Sequence, residues 1–320
     1  MSAELSGRRQ LPTQSIEVDN ERDAFTLDLL DRLWERYRRR VPHVVTYERI
    51  VRDAQATFFN DHIAFRSIAW QQPQTGINSI SRIFEALGYL PAGLYSFQDQ
   101  HLNATHYQHH HPKFPKIFIS ELKAWELSEA ARKILGKSLK THRQTVSCKT
   151  LNALVSLKDS GPGDRKELMN EILSEFHQLP WLLPEKEDIQ TLAQESQYGA
   201  WVLLHGYNVN HFTALINSHG VPELETIDLT VAALEAAGVP MKGQIEGAPG
   251  SKLRQTATGA ATTDVSVVVD GVPTKMTWSY AYFELAERNL CPDPETGKRV
   301  RFEGFLGPNA AQLFEMTRVK

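Results

Sequence analysis

The chain has 320 residues, 41% of them hydrophobic and 23% charged, with a formal net charge of −3 when its twelve histidines are neutral. That length buries a substantial core in one large domain or two modest ones, and the charge balance argues against a nucleic acid or an anionic membrane as partner. Two cysteines, Cys148 and Cys291, stand far apart in no CxxC or CxxH pattern, which argues against a disulfide framework and for a reducing compartment.

In chain order, the opening "MSAELSGRRQLPTQS" lacks the apolar core of a signal peptide, and residues 1–22 are expected to be loose. No window approaches the ~20 apolar residues of a membrane-spanning helix, so the cytoplasm is the expected location. Residues 23–320 read as one domain. Over 23–59, "DAFTLDLLDRLWERYRRR" and "TYERIVRDAQATFF" carry apolar residues at helical spacing, the second starting on Thr46 as N-cap. The pattern then changes. "HIAFRSIAW" alternates and is rich in aromatic and branched residues, which predicts a strand. A helix over 77–90 follows, with Gly88 as its stop, and then "GLYSF" and "KIFISEL" as short strands. Residues 60–122 thus form a first strand–helix–strands module.

Residues 123–200 read as a helical insertion of charged, amphipathic stretches broken by "SGPG" and by Pro180 and Pro184. After it the first order returns over 201–290: a strand at "NVNHFTALINS", a helix beginning near Asp228, and further strands with Asp270-Gly271 as a hairpin turn. Two stretches of the same order predict an internally duplicated fold. Residues 291–320 form a C-terminal tail in which "PNAAQLFEMTR" reads as a short helix closing a pocket.

Four histidines crowd into 106–111, in "THYQHHHP". They read as a loop between strands. Adjacent loop histidines bind metal opportunistically, but they lack the rigid support a catalytic site needs. In "DHIAFRS", strand alternation puts His62, Ala64 and Arg66 on one face, with His62 and Arg66 ~13 Å apart along the strand. His205 and His211 in "LHGYNVNHFTALI" have matching parity, as do Tyr280, Tyr282 and Glu284 in "WSYAYFELAER". A glutamate in an apolar strand is costly to bury unless it is paired or holds a metal. Two histidines and a carboxylate with open positions opposite are the facial triad of non-haem Fe(II) oxygenases. The residues propose such a triad, and their separation in sequence leaves its membership open. "GAPGSKLRQTATGA" lacks the Gly-Lys-Ser/Thr ending of a phosphate loop, and no Gly-x-Ser-x-Gly element is present.

The stretches "NDHIAFRSI", "FEALGY", "KIFISEL", "NHFTALIN", "YAYFELAER" and "GFLGPNAAQLFEMTR" resemble the 2-oxoadipate dioxygenase/decarboxylases, also called 2-hydroxyglutarate synthases. The chain is similar to the shorter members, which carry a glyoxalase-superfamily label. The resemblance implies an α+β, vicinal-oxygen-chelate-like fold of paired β-α-β-β-β modules curling around a metal. It implies His62, His211 and Glu284 as ligands of Fe(II), a position that Zn or Ni could take in purified protein, and leaves His205 as the alternate. It assigns Arg66 to a substrate carboxylate, and Gln255 and Arg254 are expected to assist. The implied reaction is oxidative decarboxylation and hydroxylation of a 2-oxo acid, 2-oxoadipate and dioxygen giving 2-hydroxyglutarate and carbon dioxide, a step of lysine catabolism. Longer members continue beyond position 320, so contacts from that region are expected to be missing or replaced. Two other readings compete: a metal-dependent isomerase, lyase or hydrolase of glyoxalase type, and a metal-free binding module. A homodimer is left open.

Overall fold

The computed structural model describes residues 11–157, 161–293 and 295–306. Helix α1 (Glu21–Arg40) begins where the Asn20 side chain accepts the Asp23 backbone N–H at 2.9 Å, a standard way to satisfy an orphan donor. Thr13 and Ile16, in the stretch expected to be loose, are buried. Helix α2 (Pro42–Asp53) starts four residues before Thr46, because Pro42 at its first position lacks only an N–H that has no helical partner anyway.

The first module is β1 (Asn60–Gln71), β2 (Gln74–Thr75), α3 (Ile77–Ala86), β3 (Tyr89–Phe97), β4 (Leu102–His109) and β5 (Lys116–Lys123). The insertion holds α4 (Glu129–Leu139), α5 (Cys148–Val155), α6 (Pro162–His177), α7 (Lys186–Glu195) and α8 (Gln197–His205). The second module is β6 (Val209–Leu215), α9 (Ile227–Ala236), β7 (Leu253–Ala257), β8 (Ala261–Val269), β9 (Val272–Ala281) and β10 (Glu284–Arg288), followed by the small pair β11 (Leu290–Pro292) and β12 (Arg299–Arg301).

One sheet runs β3-β4-β5-β1-β6-β10-β7, with β2 paired to β1. In each module the first strand lies parallel to the last, β1 beside β5 and β6 beside β10, with a helix carrying the chain between them. The modules meet where β1 and β6 pair antiparallel. This is the mixed α+β, curled half-barrel of paired modules that the resemblance implied. The second module is trimmed: its outer strand is reduced to isolated bridges of Glu246 to Gln255 on β7 and of Met241 to Thr258 just beyond it. The hairpin β8–β9 leaves the sheet altogether, turning at Asp270 and Gly271, both with positive φ as a tight primed turn requires.

Strand alternation sorts the two faces. Phe65 of β1 packs on Phe84 and Phe176, and Phe212 of β6 packs on Trp34 and Tyr37, so this face is core. His62, Ala64, Arg66 and His211 line the concave side. Three expectations fail here. "WSYAYFELAER" is two strands with a break at Tyr282 and Phe283, so parity does not carry across it, and Tyr280 stacks on Trp201 instead of lining the cleft. His205 ends a helix, not a strand, and its Nε2 lies 3.0 Å from the Ser279 carbonyl. The histidine run is not all loop: His106 and His109 belong to β4, where polar histidines hid the alternation. The expected C-terminal helix lies outside the described residues.

One buried carboxyl in the insertion is independent of the cleft. Glu175 on α6 is 1% exposed, and neither of its oxygens has a hydrogen bond of good geometry. Burial pushes its pKa up to about 7, and the Arg82 charge and the Thr145 backbone N–H offset this only in part. A carboxyl whose folded value is raised contributes most below its unfolded value, near 4.5, and loses that contribution as pH rises towards 7. Glu175→Gln should therefore be close to neutral at pH 4.5 and more stable than wild type at pH 8, by up to about 3 kcal/mol. Urea melts at both pH values check this, and an equal slope with pH in the two proteins would refute it.

Candidate metal centre

His62, His211 and Glu284 come from three strands that are adjacent in the sheet. Thr213 stands opposite both His62 and Glu284 in register, and His211 stands opposite Ala64. The concave face therefore gathers three side chains spread between positions 62 and 284 of the sequence. Each offers a ligand atom within 4.8 Å of the others, and all three are buried. His62 Nε2 lies 3.7 Å from Glu284 Oε1, and His211 Nε2 lies 3.2 Å from Glu284 Oε2. Ligands ~2.1 Å from a common ion at 90–110° stand roughly 3.0–3.4 Å apart, so small shifts suffice to seat one.

The electrostatics agree. Neither Glu284 oxygen has a hydrogen-bond partner, and burial, followed by the charges of Glu246 and Asp61, raises its pKa well above the usual carboxylate range. A buried carboxylate without partners is costly, and a divalent cation would supply the missing charge. Burial lowers the pKa of both histidines, and His62 adds to this at His211, which keeps the rings neutral with a lone pair to donate. Their tautomers are set from behind. His62 Nδ1 lies 2.8 Å from Asp61 Oδ2, and His211 Nδ1 lies 2.9 Å from Asn210 Oδ1. Donation from Nδ1 in each case turns the Nε2 lone pair towards Glu284. The Thr213 hydroxyl, 3.0 Å from His62 Nε2, donates to that lone pair in this structure, a contact that a bound metal would replace.

Asp61 is itself anchored. Arg288 grips it through Nε at 2.5 Å and Nη2 at 2.8 Å. Burial would raise the Asp61 pKa, but the charges of Arg288 and Lys116 hold it well below the ordinary carboxylate value. The same guanidinium donates to the carbonyls of Phe302 and Gly304. This seats Phe305 edge-on over His62, with ring centres 4.9 Å apart.

At the other end of the cleft, Arg66 is buried with its guanidinium over the rings of Tyr198 and Trp201. Gln255 lines the cleft, and its amide donates to Glu246 at 3.1 Å. Arg254 does not reach it. The neighbouring position on β7 faces away, and Arg254 is clamped by Asp228 at 2.6 and 3.0 Å. The cavity at the centre of the cleft is small, about 30 Å³, and Phe118, Ser120 and Phe305 line it beside the three candidate ligands.

A second group, Asp23, His109 and His110, also converges. Its hydrogen bonds argue against a metal there. His109 Nδ1 accepts the His111 backbone N–H at 3.1 Å, which leaves the proton on Nε2, next to the Leu87 carbonyl and Asp23. That nitrogen has no lone pair to give, so the group ties the end of β4 to α1.

Sequence reasoning missed Asp61, Asn210, Arg288 and Phe305. In a regular strand the residue before an inward histidine points outward, so parity hid the first two. Tyr282, whose ring stacks 4.7 Å from His211, was grouped with the cleft on a parity that the strand break invalidates.

The comparisons with known proteins are consistent with this geometry. The model of the family described as 2-oxoadipate dioxygenase/decarboxylase matches residues 29–299. The chain is 27% identical over 316 residues to the chloroplastic/amyloplastic 2-oxoadipate dioxygenase/decarboxylase of Oryza sativa subsp. japonica, across 92% of this chain and 79% of that one. Among solved structures it is similar to the Oryza sativa hydroxyglutarate synthase in complex with 2-oxoadipate, with a TM-score of 0.75, 25% identity and 94% of each chain covered. A glyoxalase-superfamily protein from Ralstonia eutropha JMP134 superposes with a TM-score of 0.77 at 22% identity, over 92% of this chain and 90% of that one.

Proposed function

The chain belongs to the 2-oxoadipate dioxygenase/decarboxylase family, and from that premise we propose that it is an Fe(II)-dependent enzyme converting a 2-oxo acid, 2-oxoadipate, and dioxygen into 2-hydroxyglutarate and carbon dioxide. The observation that carries this reading is the convergence of His62, His211 and Glu284, with both Glu284 oxygens lacking a partner. Two neutral imidazoles and one carboxylate suit Fe(II) and leave one face of its coordination sphere to reactants. When bound, the ion would orient the oxo acid and activate dioxygen.

The chain's own residues do the rest. Arg66 stands four residues along β1 from His62, roughly 13 Å by strand rise. A diacid held at the metal by its oxo-acid end can present its distal carboxylate to that guanidinium. Planar paired donors suit a carboxylate, and the Tyr198 and Trp201 rings fix their direction. Gln255 faces the same cleft and can donate to the substrate, its amide braced by Glu246. Phe118 and Phe305 wall the cleft with apolar surface and exclude water from the reacting end.

The glyoxalase-type alternative would use more protein ligands and no redox chemistry, and among the described residues no fourth His, Cys, Asp or Glu joins the group. Anaerobic reconstitution with Fe(II), followed by 2-oxoadipate and air, tests the reading. One carbon dioxide and one 2-hydroxyglutarate should form per dioxygen consumed. Fe(II) binding without product from 2-oxoadipate or other 2-oxo acids would sink it.

A further inference from the structure

The two histidines are held by unequal partners, and the register of the sheet explains how. Between β1 and β6, Asn60 pairs with Ala214 and His62 with Thr213, so Asp61 is an extra residue on β1. Further along, Ala64 pairs with His211 and Phe65 with Val209, so Asn210 is an extra residue on β6. Each ligand histidine is therefore preceded by a bulge residue. A bulge re-aims a side chain that alternation would send to the other face, and here each one accepts from the Nδ1 of the next residue. Asp61 is fully engaged, with both oxygens committed to His62 and Arg288. Asn210 is not.

The Asn210 amide orientation follows from chemistry. His211 must present a lone pair at Nε2, so its Nδ1 carries the proton and the Asn210 oxygen must face it. The amide nitrogen is then turned away from the ring. That Nδ2 is buried and has no hydrogen-bond partner, on a residue that is 1% exposed and borders the cleft beside His211. Buried amide donors are almost always paired. Asn210 Nδ2 is such a donor, buried at the cleft without a hydrogen bond.

We propose that Asn210 is a substrate-binding residue whose Nδ2 donates to an oxygen of the 2-oxo acid bound next to His211. One side chain would then orient a ligand histidine with its oxygen and the substrate with its nitrogen. This rests on the 2-oxo acid reading above. It also explains why the two halves differ: a carboxylate like Asp61 at this place would repel an anionic substrate, whereas an amide attracts it.

Asn210→Asp separates the two roles, because it keeps the acceptor for His211 and replaces the donor with an anionic oxygen. Calorimetric titration of 2-oxoadipate into protein loaded with Ni(II), which needs no turnover, gives the readout, with metal affinity measured in parallel. The variant should hold one Ni(II) per chain within a few-fold of wild-type affinity and bind 2-oxoadipate at least about tenfold more weakly, the worth of a hydrogen bond to a charged oxygen. Asn210→Ala should weaken both. Unchanged 2-oxoadipate affinity in the Ni(II)-loaded Asn210→Asp protein overturns the proposal and leaves the functional reading standing. Loss of Ni(II) from that variant also overturns it, since Asn210 would then only orient His211. Failure of Ni(II)-loaded wild type to bind any 2-oxo acid removes the reading and the proposal together.

Discussion

Glu284→Ala should lose its metal and with it turnover, by upward of about a thousandfold, while the metal-free protein becomes more stable than wild type. The first half follows from losing the anionic ligand: a bound ion supplies several kcal/mol of transition-state stabilisation, and each 1.36 kcal/mol is tenfold in rate. The second half follows from burial. Glu284 is 1% exposed, neither oxygen is paired, and Glu246 and Asp61 raise its pKa further. In the folded, metal-free protein it favours the protonated form, so its unfavourable contribution grows as pH rises above the unfolded carboxyl value. Removing the side chain removes that penalty, and the stability gain should be larger at pH 8 than at pH 5. Thermal melts after chelation, beside metal analysis and product assays, check both halves. An alanine variant that still bound a divalent metal at this centre, or that was less stable metal-free at pH 8, would contradict this account of the centre.

The second large effect is expected at Arg288, which the reaction does not touch directly. Arg288→Met leaves Asp61 buried without its hydrogen-bonded cation, with Lys116 as the remaining positive charge acting on it, and breaking a buried pair from one side costs about 3–5 kcal/mol. The pairing is nearly complete: Arg288 and Asp61 are 2% and 4% exposed and share two hydrogen bonds. The Asp61 pKa is depressed, so its contribution is present at all pH values above the unfolded value near 3.8 and is lost only as pH falls through the lower folded value. In Arg288→Met that protection is reduced to what Lys116 and His62 supply, and the loss begins at higher pH. The double variant Asp61→Asn/Arg288→Met should recover most of the stability but not the metal affinity, because a neutral amide is a weaker partner for His62 Nδ1. Denaturant melts and metal titrations on the single and double variants distinguish these effects. Additive losses would show that the two residues are not a pair.

Much of the fold was legible because the duplicated strand–helix–strands order survives in the hydrophobic pattern of 60–122 and 201–290. Within β1, alternation alone placed His62 and Arg66 on one face. Membership of the triad was not legible from spacing, since sheet pairing, not sequence distance, brings His211 and Glu284 to His62; the resemblance supplied those positions. Alternation also misled. His205 matched His211 in parity but belongs to a helix that Gly206, with positive φ, terminates. Arg254 sits next to Gln255 on one strand, so at most one of the two could face the cleft, and parity should have excluded the arginine. Asp61 and Asn210 were invisible for the opposite reason: each is a bulge residue, and a bulge is a property of two strands in register that neither strand shows alone.

The antiparallel pairing of β1 with β6 carries a consequence for how the molecule holds together. His62 comes from one side of that pairing, and His211 and Glu284 from the other. An ion bound by all three therefore acts as a rivet through the midline, and its occupancy and the closure of that midline are one linked equilibrium. At a hundredfold excess over its dissociation constant such a rivet adds about 2.7 kcal/mol. Removing that ion would then weaken the molecule at its centre, where the two halves share a single sheet.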